Sequence, residues 1–313
     1  MWKRFARGWQ ERGLGLALMA EDVASFPSLE FIQASGDMTG LVHSLFIMRT
    51  TDARTEGMMP AYSGQLLSFV EGGVSVDYPE TGPAKSSDLT LSAPMLRAAP
   101  IVFEGPVLQV GASLTPLGWA ALSGMAADEV HDSAFPVEKV VPSDLLNPLE
   151  ADLARCNAGE ITPVEYCRAV EDFIRSVCLL PGRMPSKDHV KLLEAIETWL
   201  DSAFSPPVKA LYASVSLGQR QVQRLCRRYY GVPPAQLVKR YRAIRAAMLL
   251  ANDQLSGDLR DEVLEAYFDQ AHLIHDIRRY TGHTPKMLAK ERLAQEMLDP
   301  GGHGLTGRKL LED

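Results

Sequence analysis

Between Gln219 and Pro234 the sequence QRQVQRLCRRYYGVPP concentrates residues suited to one chemistry, the recognition of anions and base edges. At helical spacing Val222, Leu225, Cys226 and Tyr229 fall on one apolar stripe. Arg220, Arg224 and Arg227 lie opposite that stripe, with Gln223 beside them. An arginine offers a planar fork of donors that pairs bidentately with guanine in the major groove or grips a phosphate without reading sequence. Arg220 and Arg224 sit where base edges are expected. Arg227 and Arg228, late in the helix, suit phosphates, and Gln219 at its start presents amide donors to a phosphate or an adenine. Gly231 stops the helix and Pro233-Pro234 prevents its continuation. A short helix of this kind fits a DNA major groove, although taken alone it also describes a solvated surface helix.

The charge distribution favours nucleic acid. The chain of 313 residues carries a net charge of −7. Residues 206–296 hold 15 lysines and arginines against 9 acidic residues, a net of +6 that leaves −13 for the remainder. From Leu217 to Arg245 there are eight basic residues and no acidic one. Such segregation is the footprint of one DNA-contacting region on an otherwise acidic protein.

Other chemistries find little support. The four cysteines, Cys156, Cys167, Cys178 and Cys226, lack CxxC spacing and read as reduced, buried thiols. His272 and His275 form an HxxH pair, but no further Cys or His stands at ligand spacing, so no metal is expected. There is no phosphate-binding GxxxxGK[ST], no nucleophile with a partnered base and no paired-carboxylate motif, so neither an enzyme nor a cofactor is expected. No stretch of 18 apolar residues occurs, which argues against a membrane span, and the reduced thiols point to a reducing compartment and so to a cytoplasmic protein. The opening MWKRFARGWQERGLGLALMAED reads as an N-terminal arm or helix rather than a secretion signal, because its apolar run is short and acidic residues follow at once.

The elements that must position the arginines follow from periodicity. From about residue 30 to 115, short apolar runs (LVHSLFIM, LLSFV, VSVDY, LTLSA, APIVF, VLQVGASL) alternate with turn formers, as in a β-rich domain. Thr115-Pro116 opens a short helix that stops at Gly124, AADEVHD suggests another, and FPVEKVVP reads as a connector or edge strand. Beyond Ser143 the period is helical. Thr162-Pro163-Val164-Glu165 is a capping box opening a helix to about Leu180, and Ser186 caps a second to about Ala203. Trp119 is expected in the core. Tyr62 and Tyr78, with the YPETGP loop, are weighed as effector-site lining, for which their spacing offers no support. The Gly-rich end from Asp299 is expected to be disordered.

A repeat at 51 residues raises the first helix above a surface feature. QRQVQRLCRRYYGVPP at 219–234 aligns with QAHLIHDIRRYTGHTP at 270–285. The stripe Val222, Cys226, Tyr229 returns as Leu273, Ile277, Tyr280, and the outward Arg220, Arg224, Arg227 return as Ala271, His275, Arg278. Gln219 matches Gln270, Arg228 matches Arg279, Gly231 matches Gly282, and each copy follows a short helical segment and a turn. The intervening residues 235–251 form one helix, a rod of roughly 25 Å that holds two recognition helices about one DNA turn apart.

This pattern resembles the C-terminal DNA-binding domain of AraC/XylS-type transcription regulators over about residues 206–292. VLQVGASLTPLGWAALSGMAADEV, from Val107 to Val130, is similar more loosely to a domain found upstream of it in some members. The change of period and the Ser205-Pro206-Pro207 break divide the chain near 145 and 205. This gives an α+β protein: a β-rich regulatory domain at 1–145, a helical linker at 146–205 and, where the resemblance lies, an all-α domain at 206–296, with dimers forming through the linker helices or through the β-rich domain. The all-α domain has two helix-turn-helix units joined by a long helix, followed by a flexible tail at 297–313. The resemblance implies a sequence-specific regulator, commonly a homodimer, binding double-stranded DNA, with RNA polymerase and a small-molecule effector as further partners. The alternative is a regulator controlled through a protein partner. The DNA-facing set is Gln219, Arg220, Gln223, Arg224, Arg227 and Arg228 in the first unit, and Gln270, Ala271, His272, His275, Arg278 and Arg279 in the second. Two departures stand out: Gly218 occupies a position usually held by a capping Ser, and residues 258–276 hold six acidic groups against Arg260 alone. The first unit is therefore the expected base reader.

Overall fold

A computed structural model describes residues 28–251, 263–290 and 297–298 of the chain. The expected N-terminal arm at 1–22 and most of the tail lie outside the described residues.

The N-terminal half is an antiparallel sheet of eight strands: β1 (Ser28–Ile32), β2 (Val42–Thr50), β3 (Arg54–Met59), β4 (Gln65–Tyr78), β5 (Gly82–Lys85), β6 (Leu89–Ser92), β7 (Ala99–Leu114) and β8 (Ala134–Pro136). The order is β1-β2-β7-β4-β6-β8, with β3 on β7 and β5 on β4. Side chains alternate across it. Leu45, Ile47, Leu66, Val110 and Ala112 point to one core, while Phe46, Met48, Leu67, Phe69 and Phe103 point to another.

The sequence runs LLSFV and VSVDY are one strand, β4, and APIVF and VLQVGASL are likewise one, β7. Their turn-like interruptions are kinks within continuous strands. The β4–β7 register shifts between Phe69 and Gly73, where Gly72 takes φ 67° and Gly105, on the opposing strand, takes φ 85°. A Cβ at Gly72 would lie 2.5 Å from the Pro106 carbonyl oxygen, so glycine is needed for the kinked backbones to press together.

The helices are α1 (Pro116–Ser123), α2 (Ala127–Val130), α3 (Ser143–Asn157), α4 (Pro163–Cys178), α5 (Lys187–Asp201), α6 (Val208–Ser214), α7 (Gln219–Tyr230), α8 (Pro234–Leu250), α9 (Gln270–Thr281) and α10 (Pro285–Leu288). Local capping fixes several starts. The Thr115 side chain accepts from the Gly118 amide, and Thr162 and Glu165 close a reciprocal capping box. Residues 146–205 do not form a core of their own. Leu149 and Leu153 of α3, and Tyr166, Val170 and Ile174 of α4, are buried in the same cluster as the first sheet face. Leu193, Ile196 and Leu200 of α5 instead share a cluster with α6, α7 and Leu237 of α8.

Residues 297–298, placed by sequence in the flexible tail, are helical and buried, and the Tyr62 hydroxyl donates to the Met297 carbonyl.

Candidate nucleic-acid interface

The first helix-turn-helix unit is α6, a turn at 215–218, and α7. Val222, Leu225, Cys226 and Tyr229 are all buried, and Tyr230 with them, so the apolar stripe is the packed face. Gly218 occupies the N-cap and has no side chain to offer the first-turn amides. At the other end Gly231 takes φ 77° and returns its N–H to the Arg227 carbonyl at 2.8 Å. Arg220, Arg224, Arg227 and Arg228 are exposed, as is Gln219. Gln223 is half-buried, its Nε2 donating to the Tyr212 hydroxyl of α6 at 3.1 Å.

The second unit repeats this geometry. Residues 263–265 are helical, Asp269 caps α9 by accepting from the His272 amide at 2.7 Å, and Leu273, Ile277 and Tyr280 are buried. Gly282 takes φ 78° and its N–H returns to the Arg278 carbonyl at 2.9 Å, matching Gly231. Gln270, Ala271, His275, Arg278 and Arg279 are exposed. His272 is half-buried, with Nε2 3.3 Å from Asp276 and its ring edge-on to Tyr267. Between the units α8 runs for 17 residues.

Two electrostatic expectations change. The acidic character of the second unit is smaller than its composition suggests, because Asp276 is fully buried. Its carboxylate faces Lys239 Nζ at 3.1 Å, Arg242 Nη2 at 3.5 Å and His272. The basic run is also narrower on the surface than in the sequence. Arg242 lies over the Tyr267 ring at 4.3 Å and donates to the Ala266 carbonyl. Arg245, 2 % exposed, donates to the Leu200 and Ala203 carbonyls at 2.8 and 3.0 Å and pairs with Asp201. Arg240 is 6 % exposed and donates to the Met95 carbonyl at 3.3 Å. All four basic side chains of α8 are thus engaged within the protein, and the outward cations of the 217–245 run are the four arginines of α7.

Both recognition helices end against the N-terminal half. The Ala61 amide donates to the Tyr280 carbonyl at 2.8 Å and the Ala98 amide to the Arg279 carbonyl at 2.9 Å. The bare Cα of Gly231 faces Leu96 and that of Gly282 faces Met58. Sequence reasoning did not foresee this docking, nor the buried positions of Arg240 and Asp276. The signal was present for both: Arg240 stands on the stripe of Leu237 and Ile244, and Asp276 on that of Leu273 and Tyr280. A charge on an apolar stripe calls for a buried partner.

Two helix-turn-helix units in tandem, each presenting the second helix outward, define a DNA-binding module. Residues 211–291 match a family model described as a helix-turn-helix domain. This part of the chain is a helix-turn-helix domain. Over longer spans the chain is similar to crystal structures of ToxT from Vibrio cholerae O395, at 6% identity, covering 79% of this chain and 97% of that one with a TM-score of 0.43. It is similar to ToxT bound to (E)-4-(8-methylnaphthalen-1-yl)but-3-enoic acid at 8% identity, 80% and 97% coverage and a TM-score of 0.43. The AraC-like transcriptional activator CuxR aligns at 10% identity, 77% and 90% coverage and a TM-score of 0.28. No curated protein matches the chain.

Proposed function

We propose that the protein is a cytoplasmic, sequence-specific regulator in which α7 reads bases in the major groove and α9 chiefly positions the protein on phosphates. The observation that carries this is the duplicated unit. Two helices with the same packed stripe and the same left-handed glycine terminus stand 51 residues apart, and only the first keeps its arginine ridge. Arg220 and Arg224 are assigned to base edges, with Gln219 and Gln223 beside them. Arg227, Arg228, Arg278 and Arg279 are assigned to phosphates. Gln270, Ala271, His272 and His275 complete the second helix's DNA side. The β-rich half is the regulatory domain and responds to a small-molecule effector. The protein acts as a homodimer and engages RNA polymerase at its promoters.

Selection of bound sequences from a random DNA pool tests this reading. The expected result is a motif with two half-sites about one helical turn, roughly 34 Å, apart. Recovery of no motif at moderate salt overturns it.

A further inference from the structure

At the junction of the two halves a small cavity is lined by Trp119 of α1, Ser63 and Gly64 before β4, Tyr230 at the end of α7, and Arg240 and Tyr241 of α8. Its volume is about 40 Å³, room for about three water molecules. Three donors belong to residues lining it. Trp119 Nε1 is buried without a hydrogen-bond partner, and so is the Tyr230 hydroxyl. The Arg240 guanidinium is buried, bonded to one backbone carbonyl, and among the described residues no carboxylate forms an ion pair with it. Burial, reinforced by the field of Glu197, holds the Tyr230 phenol far above its ordinary pKa, so it remains an O–H donor; Glu197 itself does not line the cavity. A buried cation and two unused N–H and O–H donors are costly unless something accepts from them.

We infer that this cavity binds a compact anion, a small carboxylate or an inorganic oxyanion, held by Arg240, Tyr230 and Trp119. The guanidinium supplies charge and directed donors, and the indole and phenol supply neutral donors to the remaining oxygens. The volume excludes a large ligand. Such an anion would touch the N-terminal half through Trp119 and the end of the first recognition helix through Tyr230, joining its occupancy to the helix assigned above to base reading. As an effector site it rests on the proposed regulator function; as a binding site it does not.

The test uses the full chain without DNA. Thermal unfolding and titration calorimetry are run with formate, acetate, oxalate, phosphate and sulfate, each against sodium chloride at matched ionic strength. At least one anion is expected to raise the melting temperature, the carboxylate and oxyanion arms showing which source fits. Tyr230→Phe and Trp119→Phe each remove one donor while keeping a ring, and each is expected to weaken binding of that anion about 3- to 10-fold. Arg240→Met is expected to abolish it; should that variant fail to fold, the two conservative variants decide. If no anion stabilises the protein beyond chloride, the cavity holds water and the inference is overturned. It is equally overturned by an adventitious ion only, seen as binding that neither phenylalanine variant alters. Selection from a DNA pool is independent of these outcomes, so failure of one reading is distinguishable from failure of the other.

Discussion

Asp276→Asn is a sharp perturbation of the second helix-turn-helix unit. The change keeps the side chain's shape and removes a charge that is fully buried and faced by Lys239, Arg242 and His272. Removing one member of a buried ion pair typically costs about 3–5 kcal/mol, because the partner is left charged and desolvated. Here the cost is lower. The Lys239 and His272 side chains are 38% and 39% exposed and can turn to water, whereas Arg242, 19% exposed and laid over Tyr267, cannot easily follow. A loss of about 2–4 kcal/mol is expected, read as a lower urea midpoint with an unchanged slope. The damage should concentrate in α9 and its contact with α8, seen as faster amide exchange there than in α7. A midpoint within about 0.5 kcal/mol of the parent protein would show that the carboxylate is hydrated and that the three cations do not depend on it.

Further expectations follow from the same geometry. Arg224→Ala should cost about 1–3 kcal/mol on the selected site and relax preference at one base pair; equal weakening on all sequences in a gel-shift series would make Arg224 a phosphate contact instead. Each phosphate contact contributes about 0.9 to the slope of log affinity against log salt. Arg227→Ala should therefore flatten that slope by about 1 and Lys239→Ala should leave it unchanged, so a change of about 1 for Lys239 would place α8 on the DNA. Burial pushes the Cys167, Cys178 and Cys226 thiols up to about 12 from an ordinary value of 9.0. The folded-state values are raised, so this contribution to stability is complete below about pH 9 and is lost as pH rises toward 12. Ellman's reagent at pH 8 should label these thiols only after denaturation, and rapid labelling of the native protein would contradict their burial.

The helices were legible because their signals are local. The capping box at Thr162–Glu165, the Thr115 cap and the glycine stops at Gly124, Gly231 and Gly282 all sit where the sequence places them. The sheet was legible only in outline. β1 and β3 escape detection since SLEFI and RTEGMM are half-exposed strands with little alternation. The Gly72-Gly73 and Gly105-Pro106 pairs look like turns in one dimension. Only the β4–β7 pairing shows that two left-handed glycines meet across the sheet and bend both strands together.

The site itself divides along the same line between local and tertiary information. The arginine ridge of α7 is a property of one helix, so its outward position follows from the stripe opposite it. The charges of α8 are not, because that helix is covered on several sides and a basic residue on it has no default direction. Arg242 turns toward Asp276, Arg245 toward the end of α5, and Arg240 toward the loop before β7. Counting eight cations between Leu217 and Arg245 therefore overstates what a phosphate backbone can meet. Half of that charge is spent holding the first unit, the second unit and the N-terminal half in one arrangement. On the function proposed above, electrostatic attraction to DNA would rest on the α7 arginines and the few outward cations of α9, so α7 is expected to dominate affinity as well as base choice.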